Sequence, residues 1–484
     1  MMRVLLVTVL LMMLQPGFAH EVELASGLIF RSDDPVNEQF LAVSFRAVEG
    51  ATHLPVHLWV QAVSEIRPQD AAPEALYPVV PEGVPATAVP DDPDAWGQDA
   101  VPFTWRATIT GHYPDAVAPE AFTMLWHRPL RSWTHSSPIL AGDRIITVDH
   151  PFILLAIDRR DGTVLWQREL SSQVLGLARD RGMPSTDFVK ASYRQMGSTP
   201  ITDGRLIHMR FLNKLVCYDI DGNFRWAQPI AYSMHSVRGG DVGGVIYQGR
   251  AVVALSYNHY RAFDRVTGQP LWMTMAEGNN KHTLNWTTIE GREYAVATDG
   301  RLLDSHGMVA SRHPSFSSYG AVPLVVDGLL YHNTLRNQGR QGAEAWEMLV
   351  GVEPVQRFVG AGRHSYITPV YADGLLYDLS SNRMMVYDIA SGEVVQDYEL
   401  ARDRSMRGYF YSQPVLVGDR ILRVLADRVQ QFSTGRDSRH LSDFPHTMPH
   451  HTGDQGGGTV PVFSGQRWYF RAADGLYAMT SVSP

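Results

Sequence analysis

At 484 residues the chain is too long for one ordinary hydrophobic core, so it must form several domains or one repeat architecture. Its single cysteine, Cys217, excludes an internal disulfide framework and leaves stability to packing. The formal net charge of -8 excludes a general nucleic-acid binder, which needs a basic face to displace counterions from phosphates.

Residues 1–19 carry Arg3, an apolar run from Val4 to Leu14, and the small residues Gly17 and Ala19. A basic start, a short apolar core and small residues ahead of a cleavage point predict a secretory signal peptide, with the mature chain starting at His20. That run is too short to span a bilayer, and no later stretch reaches about 18 uninterrupted apolar residues, so a periplasmic or secreted protein is expected. Residues 20–121 form an N-terminal extension outside any repeat. Within it "FLAVSFRAV" and "VHLWVQAV" have strand composition, while 67–103 is rich in Pro, Ala and Asp and has the composition of a linker. No function is read from this extension.

From 122 to 484 two phrases alternate. The first is a strand, a tight turn and a strand: "AIDRRDGTVLW" at 156–166, "CYDIDGNFRW" at 217–226, "AFDRVTGQPLW" at 262–272, and "VYDIASGEVVQ" at 386–396 with Gln396 in place of the tryptophan. The Asp is suited to hydrogen-bond the turn backbone, the Gly supplies a positive φ, and the Trp is large enough to pack against a neighbouring unit. Upstream comes a second phrase: "SSPILAGDRIITV" at 136–148, "STPITDGRLIHM" at 198–209, "ITPVYADGLLYDL" at 367–379, "SQPVLVGDRILRV" at 412–424 and "TVPVFSGQRWYF" at 459–470. Together they make one four-stranded unit, and with weaker copies at 240–255, 284–297 and 321–333 the units number eight. The last copy lacks its outer strand near Ser481, whereas "FTMLWHRPL" at 122–130 is an outer strand with nothing before it. Trp126 is therefore expected on the strand that closes the ring and removes its exposed edges. Cys217, in an apolar strand, is expected to be a buried, inert thiol. Residues 171–195 and 433–458 read as long insertions, the second bearing His440, His446, His450 and His451 as a His-rich loop.

The combined phrase resembles the tryptophan-docking repeat of the pyrroloquinoline-quinone-like eight-bladed propellers. That superfamily includes quinoprotein alcohol dehydrogenases and the propeller subunit of the outer-membrane β-barrel assembly machinery. The resemblance covers residues 122–484 and implies an all-β, eight-bladed β-propeller closed by an N-terminal strand. The dehydrogenases of the superfamily hold their quinone against a vicinal disulfide, which one cysteine cannot form, and counterparts of their calcium and quinone ligands are missing. No cofactor is expected on this ground, and quinone chemistry is not expected.

In a propeller the segments leading into the innermost strands surround the mouth of the central channel, where a ligand would be read. Five of them begin alike: His135-Ser136, His235-Ser236, His282-Thr283, His364-Ser365 and His451-Thr452. Three readings stay open. The histidines hydrogen-bond the backbone where the strands start, or they hold a transition metal, or they belong to an anion site. The last draws on Arg131, Arg194, Arg238, Lys281, Arg363 and Arg407, with Tyr193, Tyr232, Tyr319, Tyr366, Tyr409 and Tyr411, a basic and phenol-rich lining that suits an acidic ligand. The expected function is a cell-envelope binding or scaffold module whose mouth face takes an envelope protein or an anionic glycan. The alternative is a propeller enzyme, a lyase on acidic polysaccharide that uses His235, His364, Tyr366 and Arg363 to move the proton and neutralise the uronate.

Overall fold

Short runs of alternating apolar residues, punctuated by glycine turns, fold as an antiparallel meander, because each strand can then bury one row of side chains against each neighbour. The computed structural model describes residues 20–23, 29–32, 111–130, 134, 136–149, 153–170, 198–211, 214–230, 245–256, 259–276, 284–297, 300–312, 324–326, 329–333, 343–347, 355–359, 368–379, 383–400, 414–425, 427–446 and 459–481. Among the described residues there are strands and turns and no helix.

The chain divides into two compact units, Met1–Glu74 and Ala75–Pro484. In the first, strand His20–Glu23 pairs antiparallel with Ile29–Ser32, in register from His20 opposite Ser32 to Glu23 opposite Ile29. The second is an all-β propeller. Among the described residues seven of its sheets are four-stranded and follow chain order: 139–169, 201–229, 245–275, 285–312, 324–359, 370–399, and 462–480 completed by Thr123–Pro129. The sheet of 415–445 differs, having five strands because His112–Tyr113 adds to Val415–Val417 in parallel.

The expectation of eight like four-stranded blades is corrected accordingly, since seven sheets have that form. The reason lies in the segment just ahead of the repeat. Leu416 N–H donates to the Gly111 carbonyl at 2.7 Å and Gly418 N–H to that of Tyr113 at 3.0 Å, a long-range pairing that no local periodicity announces. From there the chain crosses to the last sheet. Val117 N–H donates to the Gly465 carbonyl at 2.8 Å, and Tyr113, Ala116, Ala118 and Phe122 pack among Val415, Val417, Phe463 and Trp468.

First strands such as Ile139–Ala141 and Val415–Val417 are wholly buried, whereas fourth strands such as Val164–Glu169 are half-exposed. The first strands therefore face the axis and the fourth form the rim, with apolar clusters filling the seams between sheets. Strand Thr123–Pro129 pairs antiparallel with Gly475–Thr480, Trp126 opposite Ala478, so the expected closing strand is in place.

The turn chemistry follows the sequence. The Asp158, Asp219 and Asp264 carboxylates accept from backbone N–H groups two residues on, at 2.8, 3.0 and 3.0 Å. Gly162, Gly222 and Gly268 hold φ of +76°, +80° and +73°. Onto each glycine sits a tryptophan from the preceding sheet: Trp126 on Gly162, Trp166 on Gly222, Trp226 on Gly268. A fourth seam, Trp272 on Gly307, uses a turn that the repeat reading passed over. Asp304 accepts there from the His306 and Met308 N–H groups at 2.9 and 2.8 Å. Docking ends at that seam. The positions equivalent to tryptophan in the next four sheets are Ser311, Phe358, Gln396 and Ser442.

The expected insertion 433–458 is also corrected. Its middle, His440–Pro445, is the outer strand of its sheet, paired with Arg428–Ser433. The strand is half-exposed and polar, so it lacks the apolar alternation by which a strand is recognised.

Candidate functional site at the channel mouth

In each meander the connections from second to third strand, and from fourth strand to the next sheet, lie at one end of the ring. The tight turns lie at the other end. The first end is the mouth face expected from the sequence. The residues expected there, Arg131, Arg238, Arg363, Arg407, Tyr319, Tyr366 and Tyr409 for a ligand, and His135, His235, His282, His364 and His451 for a metal, all lie outside the described residues. The same holds for Arg194, Lys281, Tyr193, Tyr232, Tyr411 and His450.

What the described residues reveal is how the inner strands begin at that face. Ser136, the residue after His135 in the sequence, is fully buried and donates to the Ser198 carbonyl of the next sheet at 3.1 Å. Ser137 N–H donates to Thr199 Oγ1 at 3.0 Å, and Val460 N–H donates to Ser137 Oγ at 2.9 Å. A relay of hydroxyls thus links the starts of three successive inner strands. The two hydroxyl acceptors, Thr199 Oγ1 and Ser137 Oγ, each satisfy a buried N–H that sits just before a proline.

Buried charges sort by sign along the axis. At the mouth ends of the second and third strands lie Arg210, Lys214, Arg301, Arg423 and Arg471, with the carboxylates Asp149 and Asp378, all under a tenth exposed. Among the described residues, the buried charges at the turn end are Asp158, Asp203, Asp219 and Asp264, with one guanidinium, Arg265. Composition reports only the total, and strings such as "LIHMRF" and "RWYFR" read as ordinary strands, so this layer escapes sequence reasoning. The one available signal is the recurrence of Arg or Asp at the last or next-to-last position of the second strands.

The mouth-end cations are held by hydrogen bonds. Arg301 Nη2 donates to the Met275 carbonyl at 2.6 Å and Arg423 Nη2 to Gln430 Oε1 at 2.6 Å. Arg471 Nη1 donates to the Gly475 carbonyl at 3.2 Å, and its Nη2 lies 3.8 Å from Asp149 Oδ1. Burial lowers the Arg471 pKa to about 10, with Asp149 and Asp474 opposing, so the group stays charged at neutral pH.

Two histidines of the expected His-rich loop are described, and they are apart in role. His446 is buried, Nε2 donating to the Leu425 carbonyl at 2.9 Å, and desolvation lowers its pKa. His440 lies on the rim, 2.6 Å from Asp443 Oδ1. His440 opens the outer strand His440–Pro445, and His446 follows its last residue. Among the described residues no group of three or more His, Cys, Asp or Glu could hold a metal ion. Cys217 is fully buried, and burial pushes its thiol pKa well up, as expected for an inert side chain.

The family model described as outer membrane protein assembly factor BamB matches residues 106–238 and 213–480. Among solved structures, BamB from Moraxella catarrhalis is similar at 15% identity with a TM-score of 0.54, covering 74% of this chain and 99% of that one. The C-terminal WD40 domain of Sif2 aligns at 8% identity with a TM-score of 0.52, covering 76% and 99%. At these identities the likeness is one of fold. No curated protein matches the sequence. No helix among the described residues is long and apolar enough to cross a membrane.

Proposed function

The chain belongs to the family described as outer membrane protein assembly factor BamB, and from this we propose that it is an exported propeller that holds a protein partner on its channel-mouth face. It works in the cell envelope as a binding or scaffold module. The observation that carries this reading is the hydroxyl relay of Ser136, Ser137 and Thr199, which spends the recurring Ser/Thr of the strand starts on neighbouring backbone. Hydroxyls committed in this way fix a rigid platform from which loops project, the arrangement that recognition surfaces use. The Arg and Tyr residues of those loops, Arg131, Arg238, Arg363, Arg407, Tyr319, Tyr366 and Tyr409, are the contacts proposed for the partner.

The test places a photo-crosslinking side chain at Tyr366 or Tyr409, and as a control at Asp161 on the turn face, in the protein expressed in its own envelope. A defined protein adduct from the mouth positions, absent from the control, is the expected result. Adducts of equal yield from both faces would sink the reading. Release of unsaturated uronate from an acidic polysaccharide, abolished by His235→Ala or His364→Ala, would replace it with the lyase.

A further inference from the structure

Independently of what the mouth face holds, we infer that the seam between the sheets of 201–229 and 245–275 is an acid-sensitive joint bolted by His208. Protonation of His208 opens this seam and lays Cys217 bare.

The placement of the histidine is the first observation. Ile201, His208, Cys217 and Trp226 stand opposite one another in a row across their sheet. The same row reads Ile139, Ile146, Ala156 and Trp166 in the sheet of 139–169. In the sheet of 245–275 it reads Ile246, Val253, Ala262 and Trp272. His208 therefore fills a place that an aliphatic side chain takes on either side of it. An imidazole buried there costs free energy unless its nitrogens are bonded.

Both nitrogens are bonded, and both bonds cross the seam. Nε2 lies 2.8 Å from the Arg265 carbonyl, and Nδ1 lies 2.8 Å from the Tyr247 hydroxyl. A carbonyl can only accept, so Nε2 carries the proton and bare Nδ1 accepts from the phenol. The Arg265 carbonyl also accepts from Trp226 Nε1 at 3.2 Å, so the bolt and the docked tryptophan share one anchor. Cys217 is the cross-strand neighbour of both, and all three side chains are buried.

A second proton has no place in this arrangement. It would sit on Nδ1 against a hydroxyl that now donates to it, and it would bury a second cation near Arg265, whose guanidinium lies over the Tyr247 ring at 5.6 Å. The opposing charges are Asp203 and Asp264. Asp203 Oδ1 is taken by the Arg205 and Leu206 N–H groups at 2.9 and 2.8 Å, and its Oδ2 lies 3.8 Å from Arg265 Nε. Asp264 is taken by its own turn and by Arg250. Burial outweighs both carboxylates and lowers the His208 pKa to about 4. A group whose pKa is lower in the closed seam holds that seam shut at neutral pH and releases it as pH falls.

The test follows Cys217 with dithiodipyridine, whose protonated pyridine leaving group lets thiols attack it in acid. The labelling rate, divided by that of a free cysteine peptide at the same pH, is expected to rise about tenfold for each unit of pH from 6.5 toward about 4, while the far-ultraviolet circular dichroism stays native. His208→Asn keeps a side-chain donor without the ionisation and is expected to flatten the rise. Tyr247→Phe removes the hydroxyl that favours a bare Nδ1 and is expected to move the rise to higher pH. The unaltered protein decides the matter if either variant fails to fold. Amide protection at Val252, in this seam, is expected to fall with pH ahead of that at Ile146, in the seam before it.

The inference is overturned if the rise persists unchanged in His208→Asn, or if Cys217 reacts no faster in acid than at neutral pH. Simultaneous loss of protection at Val252 and Ile146 also overturns it, because the opening would then be global.

Discussion

Trp166 lies so close over Gly222 that a Cβ added to the glycine would come within 2.6 Å of the indole ring. The same glycine holds φ +80°, so two independent constraints fix its identity. Gly222→Ala is expected to cost about 3 kcal/mol, from left-handed strain plus overpacking. Gly374, at φ +76° with nothing within 4 Å, carries only the first constraint, and Gly374→Ala is expected to cost about 1 kcal/mol. Denaturant melts of the two variants should keep that order, and equal losses would dissolve the docking argument.

The hydroxyl relay makes a prediction of its own. Ser137→Ala strips the acceptor from the buried Val460 N–H, an orphaned donor worth about 1–2 kcal/mol. Amide exchange at Val460 should accelerate alongside the loss of stability. An unchanged exchange rate would mean that another group satisfies that donor.

His208 provides the pH dependence. Its Nε2 donates to the Arg265 carbonyl at 2.8 Å and its Nδ1 lies 2.8 Å from the Tyr247 hydroxyl. Burial lowers the pKa from 6.5 to about 4, with Asp203 and Asp264 pulling the other way. The unfolded chain therefore takes up the proton first as pH falls. The contribution of this group is complete above the unfolded value of about 6.5 and is lost as pH drops toward the folded value. Urea midpoints should fall more steeply across that window in the unaltered protein than in His208→Asn, and parallel curves would refute the assignment.

Cys217 should be invisible to a thiol reagent in the native protein. It is fully exposed to reaction only when the sheet of 201–229 opens, because burial both hides the sulfur and keeps it protonated. The expected outcome is no labelling under native conditions and complete labelling in denaturant. Rapid native labelling would contradict its placement in the seam cluster with Tyr247 and Phe263.

The repeat was legible because its information is local. Asp158, Gly162 and Trp166 lie within one turn of one another, and each has a single physical task. Where the tryptophan was replaced the signal faded. Asp304 and Gly307 have the same spacing as Asp219 and Gly222, yet Ser311 in the tryptophan position concealed them. The outer strand His440–Pro445 was hidden by its polarity. His112–Tyr113 was hidden by its brevity and by a partner far along the chain. The loop residues that carry the proposed contacts lie outside the described residues. The charged layer at the mouth ends of the strands was obscured because Arg423, next to last in its strand, and Arg471, last in its own, follow runs that otherwise look like plain core.

The pairing of Thr123–Pro129 with Gly475–Thr480 also sets an order in time. The closing strand is made near the beginning of the domain and its partner at the very end. At roughly 5–20 residues per second a ribosome needs tens of seconds to deliver the second after the first. Throughout that interval the last sheet has no outer strand, and Trp126 has no folded sheet behind it to hold it on Gly162. The ring cannot be closed before Gly475–Thr480 has been made, so the early segment must avoid aggregation until its partner strand exists.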